Sequence, residues 1–229
     1  MTDSDRTQRA YARFAGLMYL VVLAASVAGL VLTSVVAGSG TFDEKAQRII
    51  AYEGLYRVAL VCSLGGSLST ILLATGLYVA VRPLDRNLAM IALLFRTGES
   101  VIGAVGIATS FAVLQMSLAV RDATAFDANQ LGALANLFSA GASTEIAAIF
   151  FSLGSTIFFY VLLRSTYIPR ALAAWGVFAS VSYAALWFTR LILPDASGLV
   201  VYGSLPILIA ELSTGLWLLI KGIRTQPAG

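Results

Sequence analysis

The sequence predicts an all-α protein that crosses a membrane as a bundle of six transmembrane helices. Of its 229 residues, 59% are apolar and 12% are charged, whereas soluble domains carry about 25% charged residues. A water-soluble globule of this size would lack the polar residues to cover its surface. The composition therefore argues against soluble enzymes, disordered tails and nucleic-acid-binding proteins, and a polytopic membrane protein is left.

Six apolar stretches supply the transmembrane helices. Each approaches or exceeds the roughly 20 residues that a helix rising about 1.5 Å per residue needs to cross about 30 Å of hydrocarbon. Glycine, proline and charged residues separate the stretches. Because no repeat or low-complexity tract interrupts the pattern, residues 1–229 are predicted to form a single integral membrane domain. The predicted spans are 14–36, 58–80, 88–113, 142–163, 171–193 and 203–220.

The basic residues predict that both termini are cytoplasmic (N-in/C-in), because lysine and arginine favour the cytoplasmic ends of spans. With that orientation nine of the fifteen basic residues are inside, five are outside, and Arg96 lies within a span. The inner set is Arg6, Arg9, Arg13, Arg82, Arg86, Arg164, Arg170, Lys221 and Arg224; the outer set is Lys45, Arg48, Arg57, Arg121 and Arg190. The acids are distributed the opposite way, with Asp3, Asp5 and Asp85 inside and Asp43, Glu44, Glu53, Asp122, Asp127 and Asp195 outside.

Two outer connections are long enough to be partly helical. Thr41 precedes Glu44 by three residues, and Asp127 precedes Gln130 by the same interval. A cap residue three positions before Glu or Gln is a capping-box pattern. We therefore expect a short helix in each connection.

Several kinds of chemistry are excluded. The chain has one cysteine, Cys62, and no histidine, so it has no internal disulfide and lacks the commonest general base and metal ligand. No zinc spacing, phosphate-binding glycine loop or serine triad is present. The basic residues lie at the ends of apolar runs rather than in one stripe, which argues against nucleic acid as a partner. We predict no metal and no cofactor.

Four strings resemble a known family. They are ARFAGLMYLVV near the start, RPLDRNLAMIALLFRTGES leading into the third span, YIPRALAAWGVFASVSY in the fifth and ELSTGLWLLIKGI at the end. They are similar to the bacterial membrane proteins grouped as domain of unknown function 4386. The resemblance implies a six-span protein of the bacterial inner (plasma) membrane, and it implies no activity.

Three ionisable residues are predicted to meet in mid-membrane. Counted along the helical rise from the inner edge, Arg96 lies about 12 Å deep, Glu99 about 16 Å and Glu211 about 15 Å. An unpaired charge at the bilayer centre costs on the order of 3 kcal/mol or more, so these side chains must face protein. One arginine cannot neutralise two carboxylates, so either one glutamate keeps its proton or the two acids share one.

Three further charged residues are predicted to form an outer rim. The same counting places Arg57, Glu145 and Arg190 roughly 28 Å or more from the inner side. Together with Arg96, Glu99 and Glu211 they are the candidate ligand-binding residues. Stripes of small residues, such as Ser63, Gly66 and Thr70 in the second span, are typical helix-packing surfaces of membrane bundles.

Three functions remain open at this point. The first is binding of a small amphiphilic or lipid-like molecule at the buried Arg/Glu centre, in addition to the lipid bilayer itself. The second is an intramembrane enzyme that acts on a lipid or isoprenoid chain, with Glu99 or Glu211 as the catalytic general acid. The third is a structural or accessory protein whose buried charges only set helix packing.

Overall fold

The computed structural model describes residues 3–121, 127–139, 143–193 and 198–224, and these ranges contain eight α-helices and no strand. Asp122 and Asp195, which the charge distribution includes, lie outside the described residues. The helices are α1 (Asp3–Ala37), α2 (Phe42–Ala51), α3 (Glu53–Val81), α4 (Arg86–Arg121), α5 (Ala128–Ser139), α6 (Ser143–Leu163), α7 (Arg170–Ile192) and α8 (Gly198–Ile220).

Six segments of the described chain are long and apolar enough to cross a membrane. They correspond to α1, α3, α4, α6, α7 and α8, and the fourth segment also takes in α5. The all-α, six-span prediction is confirmed. The outward surfaces of these helices carry exposed apolar side chains, among them Leu30 (70% exposed), Val61 (68%) and Leu94 (63%). Such a surface suits acyl chains rather than water.

The two short helices α2 and α5 occupy the predicted outer connections, and both predicted capping boxes are confirmed. The Thr41 backbone N–H donates to the Glu44 carboxylate at 3.0 Å, and the Glu44 N–H donates back to the Thr41 hydroxyl at 3.4 Å. At α5 the Gln130 N–H donates to the Asp127 carboxylate at 2.8 Å, and the Asp127 N–H donates to the Gln130 side chain at 3.1 Å. Each box satisfies backbone donors that the first helical turn leaves without a partner.

The six long helices form a closed ring in chain order. α1 packs against α3, α3 against α4, α4 against α6, α6 against α7 and α7 against α8, and α8 returns to α1. Each long helix thus packs against the next long helix along the chain, as sequential elements of a bundle usually do. The ring encloses the polar side chains of its inward faces.

Hydrogen bonds hold the beginning of α1, the end of α3, the connection between α6 and α7 and the residues after α8 at one end of the ring. The Gln8 side chain donates to the Ala80 carbonyl at 2.9 Å and to the Tyr167 hydroxyl at 3.1 Å. The Arg224 N–H donates to the Tyr167 carbonyl at 3.3 Å. The beginning of α1, the end of α3, the connection between α6 and α7 and the residues after α8 therefore lie together.

Buried apolar residues form a large cluster at this end, which includes Leu73, Leu77, Phe158, Phe159 and Leu218. A small second cluster of Val36, Ile49, Tyr56, Leu60 and Leu114 lies at the opposite end, beside α2. The interior is thus tightly packed near the termini and has a much smaller apolar cluster near the short helices.

The contact between α1 and α8 depends on glycine. A Cβ added to Gly16 would lie 2.7 Å from the Gly215 carbonyl oxygen and 2.9 Å from the carbonyl carbon of Leu218, both of them backbone atoms. Backbone atoms cannot rotate away as a side chain can, so the ring closes here only because residue 16 has no side chain.

We expect Gly16→Ala to destabilise the bundle by about 1–3 kcal/mol, because the added methyl group forces α1 and α8 apart. Gly65→Ala is the matched control, since a Cβ at Gly65 meets no atom within 4 Å. Reversible unfolding of the purified protein in mixed micelles measures both. Equal stability of the two variants would contradict the close approach of α1 and α8.

Candidate functional site

The structure brings Arg96, Glu99 and Glu211 together inside the ring. Arg96 on α4 is 1% exposed, and its Nη1 lies 3.0 Å from Glu99 Oε2, one helical turn away. The same nitrogen lies 3.8 Å from Glu211 Oε1 on α8. One guanidinium nitrogen therefore faces two carboxylates, as the depth estimate from the sequence predicts.

Ser155 of α6 completes this cluster. Its hydroxyl accepts from Arg96 Nη1 at 3.4 Å and donates to Glu211 Oε1 at 3.4 Å. The described backbones of α4 and α8 do not pack against each other, so Arg96 reaches Glu211 across the interior beside α6. The small-residue stripe of this span includes Ser155, but its bridging position follows from the ring and not from the sequence.

The aliphatic part of the Arg96 side chain and its guanidinium group both pack against α6. A Cβ at Gly154 would lie 2.9 Å from Arg96 Cγ and 3.0 Å from Cδ, so the glycine leaves room for the stem. The guanidinium carbon lies 4.6 Å from the centre of the Phe151 ring, within cation–π range. These two contacts with α6 hold the guanidinium in the orientation in which it faces both Glu99 and Glu211.

The cluster has one cation for two acids. Glu99 Oε2 is buried and has no hydrogen bond within the described residues, although it lies 3.0 Å from the guanidinium. At this distance the guanidinium and the carboxylate attract each other electrostatically, but their alignment does not make a hydrogen bond. Arg96 therefore compensates the negative charge of Glu99, whereas the lone pairs of Oε2 accept no hydrogen bond. A buried carboxylate left in this state requires a proton or a donor from another molecule.

The predicted outer rim is not assembled as one group. Glu145 on α6 and Arg190 on α7 form an ion pair with Oε1 and Nε 3.2 Å apart. Arg57 pairs instead with Glu53, one helical turn away on α3, at 2.8 Å, and its side chain is 46% exposed. The reason is the ring order, because α3 has α1 and α4 as its main neighbours and has no contact with α7 in the described residues.

A column of aromatic rings joins the inner cluster to the Glu145–Arg190 pair. Phe151 packs edge-on against Tyr183 at 5.6 Å, and Tyr183 against Trp187 at 5.8 Å. The Arg190 guanidinium then lies 5.3 Å from the Trp187 ring. The interior along α6 and α7 is therefore filled by aromatic rings in edge-to-face contact.

The opposite side of the interior is open. A cavity of about 670 Å³ lies among α1, α3, α4 and α6, beneath Phe42 and Lys45 of α2 and Asn136 and Phe138 of α5. It continues into a deeper chamber of about 200 Å³ that reaches Glu99. Five lining residues belong to both volumes: Ser26, Ser63, Gly103, Ile107 and Ala147. Of the three clustered charges, only Glu99 lines the described cavity.

The wall of the deep chamber is built from hydroxyl groups that donate to backbone. The Ser67 and Ser100 hydroxyls donate reciprocally to each other's carbonyls, at 2.8 and 2.6 Å. Thr70 donates to the Gly66 carbonyl at 3.1 Å, and Ser63 to the Ala59 carbonyl at 3.0 Å. Each hydroxyl thereby uses its one proton and keeps acceptor capacity on its oxygen. The chamber is consequently rich in acceptors.

A family model establishes how this chain is related to known proteins. The model of the family described as Domain of unknown function (DUF4386) matches residues 14–222. The chain belongs to this family. No curated protein and no solved structure matches it. The resemblance of the four sequence strings to this family is therefore confirmed.

The cavity of this DUF4386 protein is the feature that sequence reasoning missed. Ser63 and Gly66 of α3 pack closely against α1, as predicted, because a Cβ on Gly29 would lie 3.0 Å from the Ser63 N atom and one on Gly66 would lie 2.7 Å from the Ser26 hydroxyl; together with Thr70 they also line the cavity. Small residues at helical spacing suit close packing and an open lumen equally well, and the sequence cannot distinguish the two. Among the described residues no group of three or more His, Cys, Asp or Glu side chains is placed to hold a metal ion.

We expect Arg96→Met to destabilise the DUF4386 bundle by about 3–5 kcal/mol, because it leaves two buried acids without their cation. Arg57→Met is the matched control, with an expected cost of roughly 0–1 kcal/mol for an exposed pair. Unfolding in mixed micelles compares the two.

Unfolding in mixed micelles also separates the electrostatic contribution of Arg96 to stability from the contribution of its packing. Combining Arg96→Met with Glu99→Gln and Glu211→Gln should recover most of the loss, since no uncompensated charge then remains. If the combined variant is no more stable than Arg96→Met alone, the contribution of Arg96 is its packing against Phe151 and Gly154.

Proposed function

We propose that this integral membrane protein binds a small amphiphilic, lipid-like molecule in the cavity among α1, α3, α4 and α6, with the polar end of the molecule at Glu99. The observation that carries the proposal is the continuity of the cavity with this carboxylate. A cavity of about 670 Å³ falls within the roughly 300–1,000 Å³ typical of small-molecule sites. An ionisable residue inside a membrane is by default a candidate functional group.

The lining favours an amphiphile over a fully polar solute. The outer part of the cavity includes Leu30, Leu60, Ile107 and Phe138 beside its hydroxyl groups. The deep chamber ends on Glu99 and the Ser67–Ser100 pair. A molecule with an apolar body and one polar end matches this lining, because the apolar side chains contact its body while the Glu99 carboxylate receives its polar end.

A second candidate is an intramembrane enzyme that acts on a lipid or isoprenoid substrate. Glu99 favours it, since this acid borders the cavity and has Arg96 beside it to adjust its charge state. Glu99→Gln tests the enzymatic function, because an enzyme that uses Glu99 as its general acid would lose turnover, whereas a binding protein has no turnover to lose. Glu211 is the weaker acid candidate, as it contacts Ser155 and lies away from the described cavity lining.

We also propose that the protein lies in the inner (plasma) membrane of a bacterium with both termini in the cytoplasm. The inner set of nine basic residues supports this orientation, and the hydrogen bonds of Gln8 and Arg224 hold the segments that carry them at one end of the ring. Basic residues concentrate on the cytoplasmic side because they resist transfer across the membrane.

Thiol labelling of intact cells tests the orientation. In a Cys62→Ser background a membrane-impermeant maleimide should label Asp43→Cys, which lies in α2, and should label Lys221→Cys only after the cells are broken. Both positions are exposed, so access and not burial decides the outcome. Labelling of Lys221→Cys in intact cells would reverse the topology.

Filling the cavity tests the binding function. Gly103→Leu places a branched side chain in the cavity, and its Cβ meets only the Ser67 hydroxyl, at 3.4 Å. Gly65→Leu on α3 makes the same change in open space and is the matched control. Protein purified from its native membrane should carry a specific amphiphile, detected by mass spectrometry of its extract. Gly103→Leu should lose this molecule and Gly65→Leu should keep it, whereas equal recovery from both variants would refute the site.

A further inference from the structure

The charge and hydrogen-bond balance of the deep chamber indicates which class of amphiphile it accepts. Resting on the proposed binding function, we propose that the polar end is a cationic hydrogen-bond donor, an ammonium group, which pairs with Glu99 and donates to the surrounding hydroxyl oxygens. The amphiphile is thus an amine with an apolar body, and neither a fatty acid nor a neutral alcohol is the preferred ligand.

The first argument is the charge of the cluster. Arg96 is the only cation in contact with Glu99 and Glu211 among the described residues, at 3.0 and 3.8 Å. Ser155 and Tyr19, the other polar neighbours in this group, carry no positive charge. An ammonium group at Glu99 would make the cluster neutral, with two cations for two carboxylates. Neutrality removes the large cost of an unpaired charge in a low-dielectric interior.

The shape of the cavity decides which charged side chain a bound molecule can reach. The Arg96 guanidinium is 1% exposed and does not line the described cavity, so a molecule in the cavity meets Glu99 and not the cation behind it. The basic residue that lines the described cavity is Lys45, on the short helix α2 at the outer end. A carboxylate head at the deep end would therefore face Glu99 without a cation in reach.

The third argument is the direction of the hydrogen bonds. The Glu99 side chain is 18% exposed and lines the chamber, whereas its Oε2 is buried beside Arg96, so the carboxylate offers the chamber acceptor character and no donor. The hydroxyl groups of Ser67, Ser100 and Thr70 already donate to backbone carbonyls, which leaves their oxygens as acceptors. An ammonium group has three donors and no acceptor, and it matches this surface. A hydroxyl head offers one donor and no charge.

Three probes with the same twelve-carbon chain test the proposal: dodecylamine, dodecanol and dodecanoate. Each competes with tritiated dodecylamine for the protein in nanodiscs, in a scintillation proximity assay. Gly103→Leu nanodiscs give the signal from partition into the lipid. Wild-type protein should prefer dodecylamine to dodecanol by at least about tenfold, the effect expected of one charge-assisted hydrogen bond, and should bind dodecanoate least.

Glu99→Gln should reduce the preference for dodecylamine over dodecanol to about twofold or less, because the amide keeps the shape and removes the charge. Glu53→Gln is the matched control, since Glu53 pairs with Arg57 on the outer surface of α3, and it should keep the wild-type preference. The order of the three probes on wild-type protein tests the inference even if Glu99→Gln does not fold.

The outcomes separate the inference from the proposed function. If all three probes bind wild-type protein equally and Gly103→Leu abolishes binding, the cavity is a site and the ammonium preference is wrong. A preference for dodecanoate overturns the inference in the same way. If no probe binds above the Gly103→Leu signal, both the inference and the proposed amphiphile site are overturned.

Discussion

The arrangement of the bundle depends on one buried guanidinium. Arg96 lies inside a ring of membrane-spanning helices, and its Nη1 contacts Glu99 of its own helix, Glu211 of α8 and Ser155 of α6. A charge in this environment is tolerated only with partners, so α4, α6 and α8 must keep the relative positions that supply them. The contact with the Phe151 ring and the absence of a side chain at Gly154 meet the same requirement, because they let the Arg96 side chain extend across the interior without displacing α6.

The ring has a filled side and an open side, and the difference comes from side-chain size. Along α6 and α7 the rings of Phe151, Tyr183 and Trp187 occupy the interior as far as the Glu145–Arg190 pair. Along α1, α3 and α4 most of the cavity-lining residues are glycine, serine, alanine or threonine, which cannot fill the same width. Since the rigid rings hold the helices at a fixed spacing, the small residues opposite cannot close the gap, and a cavity remains.

The cavity and the charge cluster meet at Glu99, so the carboxylate that exceeds the single cation borders the space that a ligand would occupy. A purely structural ion cluster would be expected to balance its charges, and Glu211, held by Ser155 and Arg96, approaches that condition. Glu99 lies closer to Arg96 than Glu211 does, yet its buried Oε2 has no hydrogen bond within the described residues, and its side chain, which is 18% exposed, lines the deep chamber. Where a buried carboxylate borders a cavity, a donor from a bound molecule can complete what the protein leaves incomplete.

The sequence by itself determined the membrane class, the six spans, the two capped short helices and the similar depth of Arg96, Glu99 and Glu211. Composition, helical rise and the cost of a charge in hydrocarbon are local or one-dimensional quantities, and they suffice for these features. Tertiary structure alone decided that Arg57 pairs with Glu53, that Ser155 bridges the cluster and that the stripe of Ser63, Gly66 and Thr70 faces a cavity. These features depend on which helices are neighbours and how far apart large side chains hold them, and no spacing along a single helix contains that information.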